Sequence, residues 1–196
     1  MAAYGRSDFN GDGRRDLLIV TPRGDSGLNF QVALSSGSGF SDWVAWANTG
    51  SNYTLDQVKL FAGDFNHDGF SDIGIVTPRG DSGLNFQVAL SNGSGFSDWA
   101  VWYDTGTDHT LDQIRLFAGD FNHDRLSDIG LVTPRGASGL NFVPLLSTGT
   151  SFTHGGVWAN TGSNYTLDQV KLFAGDFNHD GFSDIGIVTP RGDSGL

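Results

Sequence analysis

The chain has 196 residues, with 29 Gly and 22 acidic against 11 basic side chains, for a formal charge of −11. Every acidic residue is Asp and Glu is absent, which suits turns and metal loops better than surface helices. This balance argues against a nucleic-acid partner, which needs basic patches; no apolar run reaches the roughly 20 residues of a membrane span; and without Cys no disulfide forms.

Residues 1–7 contain no apolar stretch of the secretion-signal type, so the sequence reads as a mature or recombinant piece of a protein. Asp8 opens the pattern Asp-Phe-Asn-x-Asp-x-x-x-Asp, which returns at Asp64, Asp120 and Asp176, 56 residues apart each time. The repeats run 8–63, 64–119 and 120–175, with a half repeat at 176–196, so 1–196 is one segment of 3.5 units. The block Trp46–Leu84 recurs letter for letter as Trp158–Leu196.

Alternating Asp, Asn and Asp oxygens, a Gly for a sharp turn and a closing Asp make an oxygen cage for a hard cation such as calcium. Side chains plus one backbone carbonyl give four predicted sites. These are Asp8, Asn10, Asp12, Arg14 and Asp16; Asp64, Asn66, Asp68, Phe70 and Asp72; Asp120, Asn122, Asp124, Leu126 and Asp128; and Asp176, Asn178, Asp180, Phe182 and Asp184. The third loop has Arg125 where the others have Gly13, Gly69 and Gly181, and is expected to be the weakest site. The alternative is a set of Asx-rich turns without metal, but three like charges per turn would then repel uncompensated. His67, His123 and His179 fall at a variable loop position and are expected to face solvent. Loops of weak affinity, Kd about 10⁻⁴ to 10⁻³ M, fill where calcium is abundant, which places the expected location outside the cell.

Each repeat reads as four strands, illustrated by the second: 57–62, then 72–77 after the metal loop, 84–90 after a Pro-Arg-Gly-Asp-Ser-Gly turn, and 96–103. No segment has a helical period. Pro144 stands where the second repeat has Val88 and removes a ladder donor. Four strands per repeat is the signature of a β-propeller blade, so the expected fold is an all-β propeller. Because 3.5 repeats leave strand edges bare, completion by a homo-oligomer is expected, a dimer being favoured.

The segments Gly63–Ile73 and Ser91–Phe96 resemble the FG-GAP/VCBS repeat, the calcium-binding propeller unit of integrin α chains and many secreted bacterial proteins. The chain is also similar to a fungal seven-bladed propeller lectin, in which Tyr53-Thr54-Leu55-Asp56 would occupy the place of a Trp-Arg-Val-Asp sequence. The resemblance implies glycan binding at Tyr53, Asp56, His109, Asp112, Tyr165 and Asp168; ordinary strand and turn packing is the alternative for this set.

Trp46, Trp102 and Trp158 share one repeat position, and Trp43 and Trp99 lie three residues earlier. That spacing on a strand points the two sets to opposite faces, the first to the core and the second open to solvent. Arg-Gly-Asp occurs at 23–25, 79–81 and 191–193, where a good turn is the simpler explanation than integrin recognition. No catalytic constellation is evident, and the Asp clusters are better explained as metal ligands. The sequence therefore points to a calcium-stabilised extracellular binding module, a lectin first and an adhesive protein-protein scaffold second.

Overall fold

The computed structural model describes residues 7–24, 26–50, 52–80, 82–106 and 109–190. Four antiparallel sheets follow one another along the chain. The first holds β1 (Leu17–Pro22), β2 (Leu28–Ala33) and β3 (Val44–Asn48). The second is a complete meander of β4 (Lys59–Gly63), β5 (Asp72–Pro78), β6 (Leu84–Ala89) and β7 (Ala100–Asp104). The third holds β8 (Arg115–Gly119), β9 (Asp128–Pro134), β10 (Leu140–Ser147), β11 (Phe152–His154) and β12 (Ala159–Asn160). The last pairs β13 (Lys171–Gly175) with β14 (Asp184–Val188). Among the described residues no helix is long and apolar enough to cross a membrane.

The second sheet shows why the sequence folds this way. In β6 the side chains of Leu84, Phe86 and Val88 alternate with half-buried Asn85 and Gln87. The central strand β5 is buried from Asp72 to Thr77, because neighbouring sheets cover both its faces. At Gly74 a β-carbon would lie 1.9 Å from the Phe61 ring, so glycine is what lets that ring lie on the strand.

The core therefore lies between sheets. One cluster joins Phe61, Phe65, Phe86 and Trp102 of the second sheet and its loops to Ile129, Leu145 and Phe152 of the third. A second joins Phe9 and Phe30 to Ile73 and Ile75, and a third joins Phe117 and Leu140 to Val170. Each buried Phe or Ile contributes about 1.5–3 kcal/mol. A row of T-shaped and tilted ring contacts links Phe61, Phe65, Trp102 and Phe152, with centroids 5.2–6.4 Å apart.

Several details differ from the sequence reading. Leu55–Gln57, Leu111–Gln113 and Leu167–Gln169 are single 3-10 turns, which delay the first strand of each repeat to Lys59, Arg115 and Lys171. Gln57 holds its turn by accepting the Thr54 N–H on Oε1 at 3.0 Å. The fourth strand begins at Ala100 rather than Phe96, which instead makes an isolated bridge to Ser91.

The tryptophans also depart from simple alternation. Phe86 pairs with Tyr103 but Gln87 with Val101, so Trp102 is the extra residue of a β-bulge, as Trp46 is between Phe30–Ala47 and Gln31–Ala45. The bulge turns Trp102 into the core at 6% exposure, while Trp46 is half-buried against Phe96. Trp99, expected on the open face, packs instead on Phe30 of the preceding sheet at 5.1 Å and donates its Nε1–H to the Asn48 carbonyl at 3.0 Å.

Candidate metal centres and binding cleft

The four Asp-rich loops share one hydrogen-bond plan. The first Asp accepts backbone N–H bonds from the loop's fifth and sixth residues. In the second loop these are Asp68 to Asp64 Oδ1 at 3.2 Å and Gly69 to Oδ2 at 3.1 Å. Asp8, Asp120 and Asp176 take the equivalent bonds. The middle Asp accepts from the residue two further on, so Arg14, Phe70, Leu126 and Phe182 each donate their N–H to it.

The closing Asp is the anchor. Asp72 is buried and accepts Phe65 N–H at 2.9 Å and Ser91 N–H at 2.8 Å; Asp128 does the same with Phe121 and Ser147, and Asp16 with Phe9 and Ser35. Each of these three carboxylates thereby ties its loop to the hairpin that ends the third strand. Asp184 takes the matching bond from Phe177. Burial pushes Asp72 up to about 7 and Asp128 up to about 6. Nearby Asp68 and Asp64, and Asp124 and Asp120, add repulsion, against the pull of the two backbone N–H bonds.

Adjacent loops are also tied together. Ser71, Ser127 and Ser183 donate their N–H to the carbonyls of Asp8, Asp64 and Asp120 at 2.6–2.7 Å. Ser91 Oγ and Ser147 Oγ donate to the carbonyls of Phe9 and Phe65 in the preceding loop. His67, His123 and His179 are exposed as expected, but His123 does more than face water. Its ring lies 4.9 Å from Phe182, with Nδ1 3.1 Å from the Gly181 carbonyl.

The donor set suits a hard divalent cation: every donor is oxygen, and the carboxylates repel one another where they sit. In the second loop, Asp64 Oδ1 and Oδ2 each keep a lone pair beyond the bonds from Asp68 and Gly69. Among the described residues, however, no three acidic or His side chains already converge as an ion's ligands. The turn that brings the donors round needs a left-handed residue at the sixth position. Gly69 has φ of 89°, whereas Arg125 occupies the same region at 73°.

The six sequence-predicted ligand residues lie on the crossings from one sheet to the next. Tyr53, His109 and Tyr165 are half-buried and all left-handed, with φ of 69°, 72° and 69°. Side chains there are strained, and such strain clusters at functional sites. The Tyr53 carbonyl accepts Gly27 N–H at 2.9 Å and that of Tyr165 accepts Gly139 N–H at 2.7 Å, tying crossing to turn. Tyr165 also packs on the third core cluster, so part of its role is structural. Asp56 and Asp112 are exposed and held below the usual carboxylate range by the hydroxyls of Thr54 and Thr110. Asp168 lines a cavity and lies 3.6 Å from Arg115.

The arginines of the Arg-Gly turns bond within their own sheets. Arg23, Arg79 and Arg135 donate to the Gly50, Gly106 and Gly162 carbonyls, and Arg79 also pairs with Asp104 at 3.0 Å. Asp25, Asp81 and residues 191–193 of the Arg-Gly-Asp triplets lie outside the described residues.

The family model of the FG-GAP-like repeat matches residues 8–75, from the first loop into β5. No curated protein sequence matches. Among solved structures, a lectin from Agrocybe aegerita, described as specifically recognising non-reducing terminal N-acetylglucosamine, superposes with a TM-score of 0.70 at 19% identity. The likeness covers 91% of this chain but 44% of the lectin, so the chain spans less than half of that protein's length. Residues 8–75 thus match the FG-GAP-like repeat, the Asp-rich pattern within them returns every 56 residues along the sequence, and the all-β fold is shared with the lectin.

Proposed function

We propose that this protein is a carbohydrate-binding module that works outside the cell, its blades stiffened by calcium in the Asp-rich loops. The observation that carries the reading is the fold shared with a sugar-recognising lectin over 91% of the chain. Supporting it is the recurrence of half-exposed, left-handed Tyr53, His109 and Tyr165 three residues before Asp56, Asp112 and Asp168. An aromatic ring covers the apolar face of a sugar while carboxylates fix its hydroxyls. Asp8, Asn10, Asp12 and Asp16 and their equivalents would hold the metal. Its charge would offset the crowded carboxylates, and four such ions would bring the formal charge from −11 to −3. Binding, rather than catalysis, is the activity we assign.

A glycan array probed with calcium-loaded protein, beside an EDTA-treated control, tests this. Saturable, calcium-dependent binding to a defined sugar, lost in Asp56→Ala or Asp112→Ala, is the expected result. Folded, calcium-loaded protein that binds no glycan would sink the lectin reading in favour of a protein-protein scaffold.

A further inference from the structure

The first strands of the last three sheets, β4, β8 and β13, begin with Lys59, Arg115 and Lys171 and lie side by side. Their starting ends line an open cleft of about 560 Å³, floored in part by apolar residues such as Val58 and Val170 and lined by all three cations. In a chain of net charge −11, three of the 11 basic side chains thus converge on one cavity. Among the described residues, the single acidic side chain lining it is Asp168, which is 93% exposed. It stands 3.6 Å from Arg115 Nη2, while Nη1 donates to the Asp112 and Ile114 carbonyls at 3.1 and 2.9 Å. Among the described residues, the side chain of neither Lys59 nor Lys171 has an ion pair or hydrogen bond. Lys59 is held below its ordinary value by burial first and by the Arg115 charge second; the pull of Asp112 the other way is weaker. A half-buried ammonium beside a guanidinium is an arrangement that an anion would relieve.

We infer that this cavity is an oxyanion site, for a compact sulfate or carboxylate group, free or carried on an acidic sugar. An anion seated there would face three cations at once, with half-buried Lys59 least screened by water, while the guanidinium of Arg115 suits a planar or tetrahedral oxyanion. The site uses none of the loop ligands, and of the six proposed sugar residues only Asp168 touches it. Sulfate binding there can therefore be measured apart from the lectin reading, with which the site shares only Asp168.

The test is isothermal titration of the full chain in calcium, at constant ionic strength, with sodium sulfate, glucuronate and glucose as separate probes. Saturable binding of sulfate or glucuronate is expected. Lys59→Met and Lys171→Met should each weaken it roughly tenfold, and Asp168→Asn should strengthen it. Circular dichroism would show that the variants fold. Sulfate without glucuronate would identify a free-anion site; both together, a site that also accepts acidic sugars. No saturable binding of either anion, or binding indifferent to both Lys variants, would overturn the proposal.

Discussion

At the scale of single residues, backbone freedom and close contact decide most. Gly74 is required by contact, since any β-carbon there collides with the Phe61 ring at 1.9 Å. Gly74→Ala should destabilise the fold by about 1–3 kcal/mol, the ordinary range for overpacking, read as a lower urea midpoint at unchanged slope. Arg125 is the opposite case: its left-handed backbone, φ of 73°, costs energy that glycine would not, and its N–H bond to Asp120 survives any substitution except proline. Arg125→Gly should stabilise the metal-free chain by about 1 kcal/mol. It should also remove a positive charge beside the third loop, so site-resolved calcium occupancy should show that loop filling earlier in the variant than in the parent. A third loop that already fills first in the parent would defeat the argument.

At the scale of elements, the third sheet shows what one imino acid does. Pro144 pairs with Gly130 on one side and accepts Gly155 N–H at 2.8 Å on the other, so its missing N–H faces the fourth strand. There the strand is split into β11 and β12, separated by residues 155–158, where the second sheet has continuous β7. Pro144→Val should rejoin the halves and slow amide exchange across 155–158; unchanged exchange would mean that Gly155 and Gly156, not the proline, cause the break. This proline effect was legible in the sequence, as were the second and third strands of each repeat, whose β-branched runs end at Pro and Gly turns. The fourth strand was less so, because period-two counting presumes unbroken pairing and the bulges at Trp46 and Trp102 shift it by one residue. The four Asp-rich loops and their shared turn could be read from spacing alone. The cavity cations could not: Lys59, Arg115 and Lys171 recur at one repeat position, but nothing in a strand's sequence says that three strand ends meet.

At the scale of the whole molecule, the loops act as a chain of fasteners between sheets through the Ser71, Ser127 and Ser183 bonds, so calcium should stabilise more than the loops themselves. At a calcium concentration a hundredfold above Kd, each filled site adds about 2.7 kcal/mol. EDTA should lower the melting temperature by many degrees, and equal melting with and without calcium would remove the metal from the account. The last sheet raises a different question, because repeats of nearly the same sequence are buried to different degrees. Phe61 and Phe65 are 3% and 0% exposed, yet their equivalents Phe173 and Phe177 are 52% and 60% exposed. Trp158 stands at 53% where Trp102 stands at 6%, and at the other end Trp43 is 47% exposed where Trp99 packs on the sheet before it. These are two halves of the contact that already joins the internal sheets, so the surface each one fits is another blade. In solutions of this 196-residue chain only a second copy can supply that blade, and we propose head-to-tail association, most simply a dimer. Sedimentation velocity should then show mass above the 20.9 kDa of one chain, rising with concentration. Phe177→Asp should suppress the association without touching the inner contacts. A chain that stays at 20.9 kDa at millimolar concentration would show that the bare faces tolerate water.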